Sequence, residues 1–326
     1  MNFNHYLHSS HSHDITRHWH SSGFDNRNLV YPLFISDANS NEEIPSMPKQ
    51  MRISISNLEE FLLPLYETGL RAVILFGCIS KNKKTVNASN VEQVTPVTKA
   101  LQIIRDSFPK ILRIVDVCLC PYTTTGHCHL FTSNNQMDIG STVSRLAEIS
   151  LFFAENGAQI IAPSDMISTR IKFIKEALLL NGHVNVGILS YSCKFFSCLY
   201  SPFRDAVDSA PAFGDRRDYQ LPPSKKLALK ACLRDEKEGA DFLMVKPSLF
   251  NLDVCAFLSE NISVPLAAYI VSGEYALIMN SANILPTNDL ILEIVEGFKR
   301  AGVKVIISYF VPDLLNDPRF HRACFD

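Results

Sequence analysis

The most distinctive chemistry in this 326-residue chain is a group of three closely spaced cysteines, Cys118, Cys120 and Cys128. Their C-x-C-x7-C spacing predicts two thiols on one face of a strand and a third that returns from the following loop. Three thiolates suit a zinc ion whose fourth position stays open, which is the catalytic rather than the structural arrangement. A chance cluster of buried free thiols is the alternative, since free cysteine is often buried. The Asp116 carboxylate, predicted on the same strand face, favours the zinc site.

Two lysines, Lys194 and Lys246, are predicted at the C-terminal ends of apolar strands. Apolar neighbours such as Phe195 and Met244 should desolvate the amines, and each cation lowers the pKa of the other. A neutral amine attacks ketones and forms Schiff bases. One buried lysine has a plausible structural explanation, but two favour imine chemistry on a carbonyl substrate.

Other polar side chains stand at predicted strand ends, where burial without a purpose is costly. They are Asp116, Ser164, Asp165, Ser272, Glu274 and Tyr309. The long segment after Lys194 adds Arg204 and Arg216, and a guanidinium binds a carboxylate through two parallel hydrogen bonds. A carboxylate-bearing substrate fits this segment. The alternative is a solvated loop whose arginines pair with its own aspartates.

Eight apolar, β-branched runs alternate with helical patterns, which is typical of parallel βαβ units. The predicted strands are 29–36, 72–78, 112–120, 158–165, 185–192, 241–247, 266–274 and 304–310. The predicted helices are 57–68, 96–107, 144–155, 166–180, 224–238, 252–259 and 289–301. Eight units predict an α/β fold, specifically a (β/α)8 TIM barrel. A doubly wound sheet is the alternative, but it normally has fewer strands and a glycine-rich first turn.

Two long polar connections, 121–140 and 193–223, follow the third and fifth predicted strands. Loops of this length in a compact domain are usually lids or binding loops. Both follow the C-terminal ends of strands, the face on which barrel enzymes carry their chemistry.

Residues 1–28 form a separate polar block that we interpret as an N-terminal arm for oligomer contacts, preceding one catalytic barrel over 29–326. The arm contains six of the ten histidines, namely His5, His8, His11, His13, His18 and His20. A metal-binding histidine tract is the alternative. The irregular spacing and the absence of a nearby thiol favour the arm.

Charge and cysteine content narrow the class of protein. A net charge of −2 and a pI near 6.6 give no electrostatic reason to expect nucleic acid or an anionic membrane as partner. Nine cysteines in a long chain argue against a small secreted disulfide scaffold. We therefore expect a cytosolic protein with free thiols. The six cysteines outside the proposed zinc site are Cys78, Cys193, Cys198, Cys232, Cys255 and Cys324.

Six stretches closely resemble the delta-aminolevulinic acid dehydratase family, also called porphobilinogen synthase, in its zinc-dependent animal and fungal branch. They are residues 116–128, 162–166, 190–195, 211–222, 244–247 and 271–274, within a similarity that runs from about Leu7 to Pro312. The resemblance implies condensation of two 5-aminolevulinate molecules to porphobilinogen, with loss of two waters, in haem and tetrapyrrole biosynthesis. It also implies a homo-octamer in which the arm wraps a neighbouring barrel.

The resemblance assigns a role to individual residues. Lys246 matches the lysine that forms the Schiff base with the first substrate, and Lys194 matches the lysine that engages the second. Cys118, Cys120 and Cys128 match the ligands of a catalytic Zn2+. Asp116 and Ser164 match residues that assist proton transfer. Ser272 and Tyr309 match residues that bind the carboxylate of the first substrate. The residues that match those binding the second substrate from a lid are Arg204, Arg216 and Gln220.

The chain also departs from the family pattern. Ile167-Ser168-Thr169 replaces the usual Met-Asp-Gly, Ser248 begins a changed segment through Phe250 where a glycine is usual, and Ile270 replaces a histidine. Asp218 stands where some animal enzymes have a cysteine, so a second zinc site is not expected there. These changes motivate an alternative, a catalytically weakened or inactive paralogue that acts as an oligomeric or regulatory partner. Retention of both lysines and all three thiols favours an active enzyme, and the thiols argue against another Schiff-base barrel such as an aldolase.

Overall fold

The structure is a computed structural model, and it describes residues 6–323, with side chains described up to residue 320. His5 and Cys324, which the sequence analysis assigned to the arm and to the free thiols, lie outside the described residues.

Eight parallel strands form a closed barrel at the centre of the molecule. They are β1 (Leu29–Ser36), β2 (Ala72–Cys78), β3 (Leu112–Val117), β4 (Ile160–Pro163), β5 (Gly187–Lys194), β6 (Phe242–Lys246), β7 (Leu266–Tyr269) and β8 (Val305–Ile307). Each strand pairs with its neighbour in chain order, and β8 closes the ring on β1 with Leu29 opposite Ile306. The predicted TIM barrel is confirmed.

Helices cover the outside of the barrel, so the strands are buried on both faces, as their nearly continuous apolar sequences predict. Those that alternate with the barrel strands are Leu58–Glu67, Val97–Ser107, Ile139–Glu155, Arg170–Leu180, Lys225–Lys237, Leu252–Ser259, Ser272–Asn280 and Thr287–Arg300. Shorter helices are His8–His11, Asp14–Trp19, Val91–Val94, Ser201–Ala206, Val311–Asn316 and Pro318–Ala323. Helix ends at Gly157 and Gly239 have φ of 96° and 105°, a conformation that favours glycine.

Several predicted element ends were wrong, because an apolar run does not show where the hydrogen-bonded ladder stops. β3 ends at Val117 rather than at position 120, and β8 ends at Ile307 rather than at position 310. β7 ends at Tyr269 rather than at position 274, since Ser272 already begins a helix whose Glu274 carboxylate accepts the Val271 N–H at 2.8 Å. The helix predicted from position 166 begins at Arg170, after a turn.

Both long connections contain short elements that the sequence did not predict. The first holds a small antiparallel hairpin between Leu130–Phe131 and Met137–Asp138, and the second holds the helix Ser201–Ala206. A further hairpin pairs Glu42–Glu43 with Met51–Ser54, which also adds to β1. Elements this short carry no usable periodicity.

The described part of the arm packs on the N-terminal end of its own barrel. Ser9 Oγ donates to Asp241 Oδ1 at 2.7 Å, and the buried Lys175 Nζ lies 3.1 Å from Asp241 Oδ2. Trp19, fully buried, meets Phe242 edge to face with ring centroids 5.0 Å apart. These contacts order the arm against the end of the barrel opposite the strand C-termini. Among the described residues no helix is long and apolar enough to cross a membrane.

Candidate active site

Three thiols meet beyond the C-terminal end of β3. The Sγ atoms of Cys118 and Cys120 are 3.3 Å apart, and those of Cys118, Cys120 and Cys128 all lie within 4.8 Å of one another. All three residues are buried. Among the side chains that the structure describes, those of residues 6–320, this is the only group of three or more His, Cys, Asp or Glu placed to hold a metal ion.

A turn, rather than a strand face, brings the thiols together. The prediction that Asp116, Cys118 and Cys120 alternate along β3 was wrong, because the strand ends before the first thiol. The Leu119 carbonyl accepts hydrogen bonds from the backbone N–H groups of Tyr122 and Thr123, at 2.9 and 3.0 Å, in a turn that folds the chain back. The same three sulfurs therefore converge by a different route.

The donor set fits a soft divalent cation. Hydrogen bonds with the Cys118 and Cys120 thiols lower the pKa of Cys128 well below its ordinary value, with the charges of Arg216 and Lys194 adding to the effect. Hydrogen bonds with the neighbouring thiols raise the pKa of Cys118. The three sulfurs are buried close together, and a metal that binds there would displace the protons of its thiol ligands.

The two lysines are the last residues of adjacent strands. Lys194 ends β5, Lys246 ends β6, and the two stand opposite each other in the strand register. Both are buried, at 6% and 5% exposure. Burial, together with the charge of Lys194, lowers the pKa of Lys246 to about 7. Near pH 7 about half of the Lys246 side chains therefore carry a neutral, nucleophilic amine.

Aromatic rings enclose the Lys246 amine. Its Nζ lies 4.2 Å from the Tyr269 ring centroid, 5.0 Å from Tyr191 and 5.2 Å from Phe203. A cation over aromatic faces is stabilised by the ring quadrupoles. The cage therefore suits a positively charged iminium in place of the amine.

Asp116 and Ser164 border the lysines at the ends of β3 and β4. Burial raises the pKa of Asp116 to about 6, against the opposing influence of the Ser164 hydroxyl and both lysines. Its Oδ1 is buried without a hydrogen-bond partner in the structure. Lys194 Nζ donates to the Ser164 carbonyl. A carboxyl group that titrates near neutral pH can accept and return a proton.

Ser272 and Tyr309 lie past the ends of β7 and β8. Each makes a hydrogen-bond contact with an aromatic residue that surrounds the Lys246 amine. Ser272 Oγ accepts the backbone N–H of Phe203 at 2.9 Å, and the Tyr309 hydroxyl is 3.0 Å from that of Tyr269. Both were predicted as strand residues. They instead occupy a helix start and a turn, where a hydroxyl can face the barrel mouth.

The segment 195–222, which we term the lid, contributes polar atoms without protein partners. Arg216 and Gln220 are 4% exposed, yet Arg216 Nε and both amide heavy atoms of Gln220 make no hydrogen bond. Arg204 Nε is likewise buried and unpartnered. Buried donors left unpaired are costly. The arrangement therefore calls for a ligand with oxygen acceptors, as a carboxylate provides.

Comparison with known proteins identifies the family. Residues 5–316 match the delta-aminolevulinic acid dehydratase family. The chain is 44% identical over 318 residues to delta-aminolevulinic acid dehydratase of Bos taurus, covering 95% of this chain and 97% of that protein. It is 43% identical over 324 residues to the enzyme of Dictyostelium discoideum, covering 97% of each. This chain belongs to the delta-aminolevulinic acid dehydratase family.

A solved structure agrees with this assignment. The structure of delta-aminolevulinic acid dehydratase (porphobilinogen synthase) from Toxoplasma gondii ME49, in complex with the reaction product porphobilinogen, superimposes with a TM-score of 0.87. It is 33% identical in sequence and covers 94% of this chain and 89% of that one. Family membership and the thiol cluster together support a metal-dependent enzyme.

One departure from the dehydratase pattern has a visible structural cost. Thr169, which replaces the usual glycine, adopts φ of 69° and ψ of −4°. A β-branched residue is disfavoured in this left-handed region. The neighbouring Arg170 nevertheless keeps a fully buried ion pair with Asp235, at 3.0 Å, and another with Asp165 at 3.3 Å. The strain is local and leaves the adjoining strand end anchored.

The other two departures leave the dehydratase site in place. Ser248 has φ of −107°, which any residue adopts, although its Oγ is buried without a partner. Ile270 is buried as part of the hydrophobic core. Neither change displaces a lysine or a thiol.

Sequence reasoning missed Tyr191. Its hydroxyl is buried without a hydrogen-bond partner, and its ring lies beneath both lysine amines, 5.7 Å from Lys194 Nζ and 5.0 Å from Lys246 Nζ. A tyrosine in an apolar strand is typical of a hydrophobic core, so only its place three residues before the predicted catalytic Lys194 could have signalled a role.

The remaining described cysteines are free thiols, as predicted. Cys78, Cys193, Cys232 and Cys255 are buried, and Cys198 is exposed. Burial raises the pKa of Cys78 to about 12, so it is an unreactive core thiol at neutral pH.

Proposed function

We propose that this protein condenses two molecules of 5-aminolevulinate into one porphobilinogen, releasing two waters, in haem and tetrapyrrole biosynthesis. The observation that carries the proposal is the pair of buried lysines, Lys194 and Lys246, on adjacent strands of a dehydratase-family barrel. The three-thiol cluster and the unpaired Nε donors of Arg204 and Arg216 support it. An inactive paralogue has no physical need for this set of costly buried polar groups.

Lys246 acts first on one substrate. Its neutral amine attacks the ketone carbon, the carbonyl oxygen leaves as water, and a C=N bond joins the substrate to Nζ. The aromatic cage stabilises the positive charge of the protonated imine. Ser272 and Tyr309 donate hydrogen bonds to the carboxylate of this substrate, which holds it in the attacking geometry.

The second substrate lies between Lys194 and the lid. Arg204, Arg216 and Gln220 pair their free donors with its carboxylate, and Lys194 engages its ketone. Asp116, together with Ser164, accepts the protons that must leave carbon and nitrogen as the ring closes. One C–C bond and one C–N bond join the two substrates, and the second ketone oxygen departs as the second water. The bond between Lys246 Nζ and the first substrate then breaks, which returns the free amine.

We propose that the metal is Zn2+, held by Cys118, Cys120 and Cys128. Three thiolates are the soft donors that zinc prefers, and three protein ligands leave one position open for substrate or water. A zinc ion in this position supplies Lewis-acid polarisation of a carbonyl and lowers the pKa of a bound water.

Borohydride reduction tests the proposed chemistry. With 5-aminolevulinate present, reduction should leave a stable adduct on Lys246 that peptide mass spectrometry locates, and Lys246→Ala should lose both the adduct and product formation. Lys237→Ala, at an exposed helical position, is the matched control and should retain both. Zinc-loaded protein that forms neither adduct nor porphobilinogen contradicts the proposal.

We also propose that the protein is a cytosolic homo-octamer assembled through residues 1–28. The resemblance to the family supports this assembly. Light scattering should give eight times the 36.6 kDa chain mass, and removal of the arm should give particles of fewer than eight subunits. An octamer that persists after removal of the arm contradicts the assigned role. Fluorescent tagging checks the location.

A further inference from the structure

The lid packs directly on residues 118–128, the segment that carries the three thiols and that we term the metal loop. The backbone N–H of Ala212 donates to the Thr125 carbonyl at 2.9 Å. At Gly126, where φ is +68°, an added Cβ would stand 2.3 Å from the Ala210 carbonyl oxygen. The two backbones are therefore in contact, and only a residue without a side chain fits between them.

His127 joins the two segments through both ring nitrogens. Its Nε2 is 2.8 Å from the Phe213 carbonyl, and its Nδ1 is 3.0 Å from the Tyr219 hydroxyl. A carbonyl oxygen only accepts, so we assign the ring hydrogen to Nε2 and the donor role at Nδ1 to Tyr219. The residue next to the ligand Cys128 is thus fixed by two lid residues.

Aromatic packing adds to these hydrogen bonds. The Phe213 ring centroid is 5.0 Å from that of His127 and 5.3 Å from that of Phe131, although Phe213 remains 52% exposed. Tyr219 packs in one buried cluster with the three thiols. The lid therefore forms part of the wall of the metal site.

Charge links the same two segments. Arg216 Nη2 donates to the Gly126 carbonyl at 2.8 Å and to the Ser209 carbonyl at 2.7 Å. Three thiolates around a divalent cation leave one net negative charge, which the nearby guanidinium stabilises. Opening the lid removes this charge and the wall formed by Tyr219.

We propose that the lid and the metal loop form one coupled unit, in which the closed lid raises metal affinity and bound metal holds the lid closed. Linkage makes the two effects equal in size. The consequence for substrate, that metal loading organises the lid arginines for a carboxylate, rests on the proposed function. The coupling itself does not, and it is measured without substrate.

Metal affinity is the first test. Zn2+ is titrated against a chromophoric chelator in wild type, Phe213→Ala and Tyr219→Phe, with Phe250→Ala as control, since Phe250 is 68% exposed on another segment. A coupling free energy typically corresponds to a 5- to 150-fold change in affinity. Each lid variant should lose part of this coupling, so we expect the Kd for Zn2+ to rise about threefold to tenfold in both. The control should stay within about twofold. Lid variants that hold zinc as tightly as wild type overturn the proposal.

Lid opening is the second test. Cleavage by trypsin after Arg217, an exposed lid residue, is timed in zinc-loaded and chelator-treated wild type and located by mass spectrometry. Cleavage should be faster without metal, because proteolysis requires local opening. Equal rates overturn the coupling. If trypsin cleaves at equal rates with and without metal but the protein makes porphobilinogen, the coupling fails and the proposed function stands. If cleavage depends on metal but the protein makes no porphobilinogen, the coupling stands and the proposed function fails.

Discussion

The lowered pKa of Lys246 predicts the pH range in which the nucleophile works. Burial and the Lys194 charge move this pKa from 10.5 to about 7. At pH 7 an unperturbed amine is neutral in about 1 of 3,000 molecules, and the buried amine in about half, which is a gain of about 1,500-fold in reactive species. This gain in neutral amine is what the lowered pKa contributes to the first covalent step.

The assay is reductive trapping of 4-oxopentanoate, which has a ketone and a carboxylate but no amine that titrates. The initial rate of adduct formation by intact mass, measured at low ligand concentration between pH 5 and 10, reports the free amine. We expect a tenfold rise per pH unit at low pH and a plateau above about pH 7. Lys194→Met should move the midpoint upward by about one unit, because it removes a repelling charge. A wild-type midpoint above about pH 9.5, or no shift in the variant, refutes the reasoning.

Three further predictions concern stability, measured by chemical denaturation. Thr169→Gly should stabilise the protein by about 0.5–1 kcal/mol, since it relieves the left-handed strain. Arg170→Met should destabilise it by about 3–5 kcal/mol, because it removes the buried cation that pairs with the carboxylates of Asp165 and Asp235. Lys246→Met should stabilise it by a few kcal/mol below about pH 7, where folding buries a charged amine. Because the folded-state pKa is lowered, that advantage should shrink as the pH rises from 7 towards 10.5.

Each stability prediction has a contradicting result. Thr68→Gly is the control for the first prediction, since Thr68 lies at an exposed helix end with φ of −77°, and it should destabilise the protein. Equal changes in the free energy of unfolding for Thr68→Gly and Thr169→Gly would contradict the strain argument. An Arg170→Met change below about 1 kcal/mol would show that the pair is replaceable. A pH-independent effect of Lys246→Met would show that the amine is not titrating in the folded protein.

The barrel was predictable because its strands are buried on both faces and their sequences are almost continuously apolar. β1 and β2 match the predicted bounds, 29–36 and 72–78, residue for residue. The ends of β3 and β7 were not predictable, since apolar residues continue into the turns that follow. That error misplaced Cys118 and Ser272 in strands without separating them from the site.

The candidate site was predictable in composition but not in contacts. Spacing indicated the thiol group and strand position indicated the lysines, because both depend on order along the chain. The aromatic cage, the unpaired Tyr191 hydroxyl and the His127 contacts with the lid depend on residues distant in sequence. The left-handed conformation of Thr169 can be recognised only from the backbone angles of the structure.

The most direct test of the central claim is a colorimetric assay for porphobilinogen from 5-aminolevulinate. Purified protein is assayed with added zinc, after treatment with a chelator, and after zinc is restored. The two buried lysines and the three-thiol site predict product with zinc, its loss on chelation and its return on reconstitution. Absence of porphobilinogen from the zinc-loaded, folded protein would contradict the account.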